Sequence, residues 1–231
     1  MNPFNKNLLD KQEIKRYSRQ IILPELGIHG QEKLKSSKVL IIGAGGLGCP
    51  MLQYLSAAGV GHIGVMDDDA VEVSNLHRQI LFNANDLGRN KAITACEKIE
   101  LLNPFIITTA YPVRLTEENA PEIISTYDLI IDGSDNFPTR YITNDACIAL
   151  NKPFIFGSIL KFEGQVSVFN FEGGPSYRDL FPEADEGDNC EIAGVLNVLP
   201  GMVGMFMANE ALKVLCGFGE ILSGKVLFID A

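Results

Sequence analysis

The segment Lys38-Val-Leu-Ile-Ile-Gly-Ala-Gly-Gly-Leu-Gly48 constrains this chain more than any other. An uninterrupted apolar run of this length reads as a strand buried on both faces, as in the interior of a parallel sheet. Gly43, Gly45, Gly46 and Gly48 follow at once, with G-x-G-x-x-G spacing and an amphipathic helical pattern over 46–58. Strand, loop and helix in that order are the setting in which the spacing carries information. Glycines allow the tight turn, the close approach of backbone to phosphate and the close helix–strand contact, while the helix N-terminus favours an anion. The next apolar run, 62–66, ends in Asp67-Asp-Asp69, where Asp67 or Asp69 can take ribose hydroxyls. A nucleotide site follows from these features; they do not separate a dinucleotide from ATP.

Further along, β-rich runs at 38–44, 62–66, 105–113, 128–132 and 153–157 alternate with helical stretches at 46–58, 87–102, 117–125 and 138–150. This alternation predicts an α/β fold, a doubly wound Rossmann-like sheet that is mostly parallel and covered on both faces. After residue 159 the pattern changes to a half-exposed strand at 165–171, a polar stretch at 172–189, a helix at 201–216 and a last strand at 225–229. The sheet is therefore expected to be extended by antiparallel strands. The division reads as one domain over 1–231: a helical leader (1–37, helical over 11–22), a nucleotide-binding half (38–158) and the extension with its crossover loop and C-terminal helix (159–231).

Between the second run and the next helix lie Ser74-Asn-Leu-His-Arg-Gln79 and Asp86-Leu-Gly-Arg-Asn-Lys91. Arg78 and Lys91, with Asn75 and Gln79, gather cationic and amide donors where phosphates would sit. A nicotinamide enzyme holds its pyrophosphate on backbone amides and needs no such array, whereas a triphosphate attacked at phosphorus does. The fourth run delivers Asp132-Gly-Ser-Asp-Asn136 at its C-terminal end, where ligands bind in open α/β sheets, so Asp135 is placed to hold Mg²⁺. Capping of the following helix is the competing use of Asp135.

Composition excludes several alternatives. A net charge of −10 argues against an unspecific nucleic-acid or anionic-membrane surface. No apolar run reaches the roughly 18–20 residues of a membrane span, and the N-terminus has no signal-peptide core. Four of the five cysteines (Cys49, Cys96, Cys147 and Cys216) fall in apolar helical patterns, which suits buried thiols in the cytoplasm. His29, His62 and His77 read as packed or surface residues.

The ordered motifs RYSRQIIL (16–23), GAGGLG, SNLHRQ, the lysine of GRNK, DGSDN, EGQVSVF (163–169) and CEIAGVLNVLPG (190–201) resemble the ThiF/MoeB/HesA adenylyltransferases. These are bacterial relatives of ubiquitin-activating enzymes, and the resemblance runs nearly end to end. It implies binding of MgATP and of a ubiquitin-like sulfur-carrier protein of the ThiS or MoaD type, ending in Gly-Gly. The terminal glycine would be adenylated with release of pyrophosphate, in thiamine or molybdopterin cofactor biosynthesis. By this likeness Asp67 binds ribose, Gly45 approaches the phosphates, and Asn75, Arg78 and Lys91 contact the triphosphate. Asp135, beside Asn136, serves Mg²⁺, and Arg19 reaches the ATP of a neighbouring subunit in a homodimer.

Two departures accompany the resemblance. Many members carry two C-x-x-C pairs for a structural zinc; here Ser176-Tyr-Arg-Asp179 replaces the first, and Ala231 precedes the place of the second. No zinc site is expected. Cys190 lies in a polar loop at the position of a cysteine that relatives use in acyl transfer, yet its acidic neighbours disfavour a thiolate. A transfer role and an idle loop thiol both remain open. Two other functions stay in play: an NAD-linked oxidoreductase, which rests on the glycine loop alone, and the non-catalytic half of a heterodimeric activating enzyme.

Overall fold

Along each central strand the side chains divide by parity between two apolar cores, as a sheet covered on both faces requires. The computed structural model describes residues 8–182 and 194–231. β1 (Lys38–Ile42) lies in parallel between β2 (His62–Met66) and β4 (Leu129–Asp132). β3 (Ile107–Tyr111) pairs with β2, and β5 (Phe154–Leu160) with β4, both in parallel. β6 (Glu163–Phe169) and β7 (Leu227–Asp230) then add antiparallel, giving the order β3-β2-β1-β4-β5-β6-β7. This is the α/β, mostly parallel sheet with an antiparallel extension that the sequence predicts.

Before the sheet come α1 (Lys11–Arg16), α2 (Ser18–Ile21) and α3 (Gly27–Ser36). Within it come α4 (Gly48–Ala58), α5 (Lys91–Leu102), α6 (Ala120–Ser125) and α7 (Phe137–Ala149), followed by α8 (Tyr177–Leu180) and α9 (Leu199–Cys216). Val39, Ile41, Ile63, Val65 and Ile131 pack on the face of α4, α5 and α9. Leu40, Ile42, Ile130, Phe154 and Phe156 pack on the opposite face with Ile124 of α6, Cys147 of α7 and Tyr177 of α8.

Most differences from the expected boundaries have local causes. The helix expected from 87 begins at Lys91, because the Asn90 side chain accepts the Ile93 N–H at 3.1 Å and caps it. The helix expected from 201 begins at Leu199, with Pro200 in a first turn where a missing N–H costs nothing. The strands expected at 153–157 and 165–171 are one hairpin, turning at Lys161 with φ 56°. The leading helix expected over 11–22 breaks at Tyr17, whose ring is buried. α3 was not expected: it carries two glycines and owes its place to packing against α2 and α9.

Buried hydrogen bonds anchor the N-terminal segment. Asn103 donates to the Tyr17 hydroxyl at 2.8 Å and to Ser56 O at 2.6 Å. Gln20 and Gln31 both donate to Ala58 O at 2.9 Å, and Arg16 donates to Leu102 O. The backbone acceptors Ser56, Ala58 and Leu102 lie at or just before the C-terminal ends of α4 and α5. Arg19, between Tyr17 and Gln20, is therefore held at the end of α4 remote from the glycine loop. The 11 residues of α4 separate the two by roughly 16 Å at the usual helical rise.

Candidate nucleotide-binding site

β1 and β4 are neighbours, but their chains leave in opposite directions, toward β2 and β5. A crevice opens between diverging loops at such a switch point. One loop is 43–48 and the other 133–136. Gly43 adopts φ 90°, and a Cβ added to it would lie 2.9 Å from Gly133 O. A Cβ on Gly48 would lie 2.0 Å from Gly43 O, and one on Gly46 would lie 2.9 Å from Pro200 Cβ at the start of α9. At Gly45 a Cβ would meet only Gln79 Nε2, at 3.8 Å. The protein's own packing thus requires three of the four glycines, and Gly45 alone faces open space.

Gly43, Gly45, Gly46, Asp67, Asp69, Asn75, Arg78, Gln79, Lys91, Asp135 and Asn136 line one cleft of about 370 Å³. Gly48 does not line it and serves the close contact between helix and loop. Arg19 does not line it either. Cys190 lies outside the described residues. A second depression of about 540 Å³ continues past Arg114, Leu115, Asp135, Asn136 and Thr139.

Asp67 closes β2 and binds the glycine loop: its Oδ2 accepts Ala44 N at 2.8 Å, and its Oδ1 accepts Asp69 N at 2.9 Å. Burial pushes its carboxyl pKa up, against the opposing pull of Lys91 and these two N–H groups. Lys91, nearly buried at the start of α5, reaches the exposed Asp69 carboxylate at 2.9 Å. Asn90 ties the same strand end down through Asp67 O and Asp69 O at 3.1 and 3.2 Å. Arg78 rests on Ser74 O at 3.1 Å and beside His77 Nε2 at 3.0 Å, and makes no ion pair among the described residues. Asn75 accepts the Glu72 N–H at 3.2 Å, and Gln79 Oε1 is buried without a hydrogen-bond partner.

Asn136 resolves the competing use of Asp135. Its side chain accepts Thr139 N at 3.0 Å and caps α7. Asp135 is left exposed, with only a 3.4 Å contact from Asn136 Nδ2 and no ion pair among the described residues. Sequence reasoning missed Arg114, Thr139 and Arg140, which also line the cleft. A cation one turn after a capping asparagine was the available signal for Arg140. Ser176 and Asp179 form a capping box at α8, Asp179 Oδ2 accepting from Ser176 N at 2.7 Å and Oγ at 2.8 Å. His62 bonds Thr109 at 2.8 Å, while His29 and His77 are exposed.

A glycine loop after β1, a carboxylate closing β2 and a crevice at the switch point define a nucleotide-binding domain of the doubly wound class. Within that class, the chain belongs to the ThiF family, whose model matches residues 17–231. It is 54% identical over 229 residues to the sulfur carrier protein adenylyltransferase of Thermus thermophilus, covering 96% of this chain and 84% of that protein. It is 47% identical to the probable adenylyltransferase/sulfurtransferase MoeZ of Mycobacterium tuberculosis, covering 96% and 59%. The match to the adenylyltransferase and sulfurtransferase MOCS3 of Xenopus laevis is 46% identical and covers 98% and 51%. The chain thus spans a little over half the length of the latter two. Among solved structures, the fold matches E. coli MccB with ATP at a TM-score of 0.83 and 22% identity, covering 94% of this chain and 68% of that one. PaaA matches at 0.83 and 24%, covering 100% and 74%. By this kinship the chain is an enzyme of the adenylyltransferase class.

The glycine geometry separates fold from binding. Gly45→Ala is expected to melt within about 1 °C of the parent, with nucleotide affinity reduced at least about tenfold. Gly48→Ala is expected to lose stability itself, because its obstacle is backbone. Thermal melts and titration of a fluorescent ATP analogue check both; equal melting losses in the two variants would contradict the assignment.

Proposed function

We propose that this chain uses MgATP to adenylate the C-terminal glycine of a ubiquitin-like sulfur-carrier protein ending in Gly-Gly, releasing pyrophosphate. Thiamine or molybdopterin cofactor biosynthesis is the setting. The carrying observation is the convergence, in one crevice, of the open Gly45, the cations Arg78 and Lys91, and the uncommitted carboxylate of Asp135. The names of the Thermus and Xenopus relatives support the same reading.

The carrier carboxylate is ionised at neutral pH and attacks the α-phosphorus; the bond to the bridging oxygen breaks, and pyrophosphate leaves with that electron pair. No strong base is needed, so the work is placement and charge neutralisation. Gly45 admits the phosphates against the loop backbone, and Asp67 takes the ribose hydroxyls. Asn75, Arg78, Gln79 and Lys91 hold the triphosphate, with Lys91 exchanging the exposed Asp69 for phosphate oxygen. Asp135 fits a Mg²⁺ site because no cation engages it among the described residues. Mg²⁺ there would offset negative charge on the phosphates. The described cysteines are free and buried, which suits the cytoplasm. Burial pushes Cys49 up to about 12 and Cys96 up to about 11. No helix among the described residues is long and apolar enough to cross a membrane.

Arg19 completes the reading. Its segment is bonded to the far ends of α4 and α5, a span no arginine side chain covers back to its own cleft. A two-fold homodimer would give each site one arginine from the partner, acting on the leaving phosphates as arginine fingers do.

Three outcomes are expected. ATP–pyrophosphate exchange should require a carrier ending in Gly-Gly; exchange that survives deletion of the carrier's last glycine would refute the reaction, whereas Cys190→Ala should leave exchange intact. Acidification should weaken nucleotide binding at a higher pH than an ordinary aspartate would set. Asp67 regains its proton early, and a neutral carboxyl accepts hydroxyls poorly. Titrations across pH in the parent and in Asp67→Asn check this, the variant being weak and flat. Arg19→Ala and Lys91→Ala should each be severely impaired, yet a mixture with exchanged subunits should recover about a quarter of parental sites. Exchange assays on the mixture read this directly, and no recovery would place Arg19 in its own subunit's site.

A further inference from the structure

The turn that presents Asp135 is held on both sides by buried charges. Asp132, the last residue of β4, is fully buried, and its Oδ1 accepts the Ser134 N–H at 2.7 Å. Arg140, one turn into α7 and only 6% exposed, donates from Nη2 to Ser134 O at 3.2 Å. Both backbone polar groups of Ser134 are thus engaged by opposite charges, and Asp135 is the next residue. The Arg140 guanidinium also lies over the rings of Phe137 and Phe156, 5.4 and 5.3 Å from their centroids, which fixes its plane.

This arrangement is costly for a purely structural feature. Asp132 Oδ2, Ser134 Oγ and Arg140 Nε are all buried without a hydrogen-bond partner. Burial pushes the Asp132 carboxyl pKa up, against the opposing pull of the Arg140 guanidinium and of Ser134, whose Oγ lies close by without hydrogen-bond geometry. Buried opposite charges often stabilise no more than apolar residues of the same volume; what they add is direction. The direction here is that of the Ser134 peptide. Only a planar, forked cation fits between two rings and still reaches a carbonyl, so lysine is no substitute.

We propose that Asp132 and Arg140 are positioning residues that orient the 133–135 turn so that Asp135 presents its carboxylate to the metal-bound triphosphate. The inference rests on the reading of Asp135 given under the proposed function. Neither residue needs to touch the metal, and groups that hold a metal ligand in place commonly tune metal affinity by about 10–100-fold.

Mn²⁺ serves as the probe, followed by electron paramagnetic resonance in the presence of α,β-methylene-ATP, with binding of the same nucleotide in EDTA as the metal-free reference. Arg140→Lys and Asp132→Asn should each lower Mn²⁺ affinity about tenfold. Their metal-free nucleotide affinity should stay within about twofold of the parent, since a change behind the metal ligand acts on the metal. Asp135→Asn should lose at least as much Mn²⁺ affinity. Asp132→Asn keeps an acceptor for Ser134 N while removing the charge and replacing the second oxygen by an NH2 donor, so it carries the test if Arg140→Lys does not fold. Parental Mn²⁺ affinity in a folded Arg140→Lys or Asp132→Asn protein, alongside loss in Asp135→Asn, would overturn the positioning role. Equal losses with and without metal would overturn it as well. Parental Mn²⁺ affinity in Asp135→Asn would instead refute the underlying reading of Asp135, and the positioning role with it.

Discussion

Gly43 and Gly133 approach so closely that a side-chain carbon on the first would collide with the carbonyl of the second, and the site depends on this contact. Each loop leaves the sheet by continuing its ladder: Gly43 N donates to Met66 O at 2.7 Å, and Gly133 N donates to Ile42 O at 2.8 Å. The loops therefore inherit the rigidity of the parallel strands β1, β2 and β4. Side chains then extend that rigidity outward. Asp67 holds the first loop through Ala44 N, and Asp132 holds the second through Ser134 N. A site built this way has its floor in place before any ligand arrives.

Its electrostatics look unfavourable for a polyanion. The chain carries −10 overall, and Asp67, Asp68 and Asp69 bring carboxylate oxygens within 4.8 Å of one another at the rim. Much of that charge is already engaged. Asp67 is turned inward onto backbone N–H groups, and Asp69 is paired with Lys91. An exposed carboxylate is a weak competitor for an ammonium group compared with a phosphate that also gains loop N–H donors. The same pairing keeps Lys91, itself nearly buried, from standing as an uncompensated charge in the free protein.

Legibility in the sequence followed the range of the forces involved. The apolar runs of β1, β2 and β4 and the helical patterns between them act over a few residues, so strand and helix types could be read in order. Boundaries shifted where one side chain decided them, as at Asn90, Tyr17 and Lys161. α3 could not be read, because its two glycines and sparse apolar pattern state no preference; α2 and α9 supply the surface that orders it. Arg140 was passed over for a related reason. Of its partners, Ser134 and Phe156 lie outside α7, and the local sequence offers only a cation one turn after the capping Asn136.

The sequence by itself determined the class of sheet, the order of its motifs and the chemistry gathered after β1, β2 and β4, since strand period and loop composition are local properties. Tertiary structure decided which of those residues are committed to the fold and which are left for a ligand. Gly43, Gly46 and Gly48 are occupied by Gly133, Pro200 and Gly43 itself, and Gly45 is not. Asn136 caps α7, and Asp135 is free to face the cleft. Arg19 sits beside Gln20, which is bonded to the end of α4 that faces away from the glycine loop. Each of these outcomes depends on atoms brought together from distant parts of the chain, and close packing alone settles which groups meet.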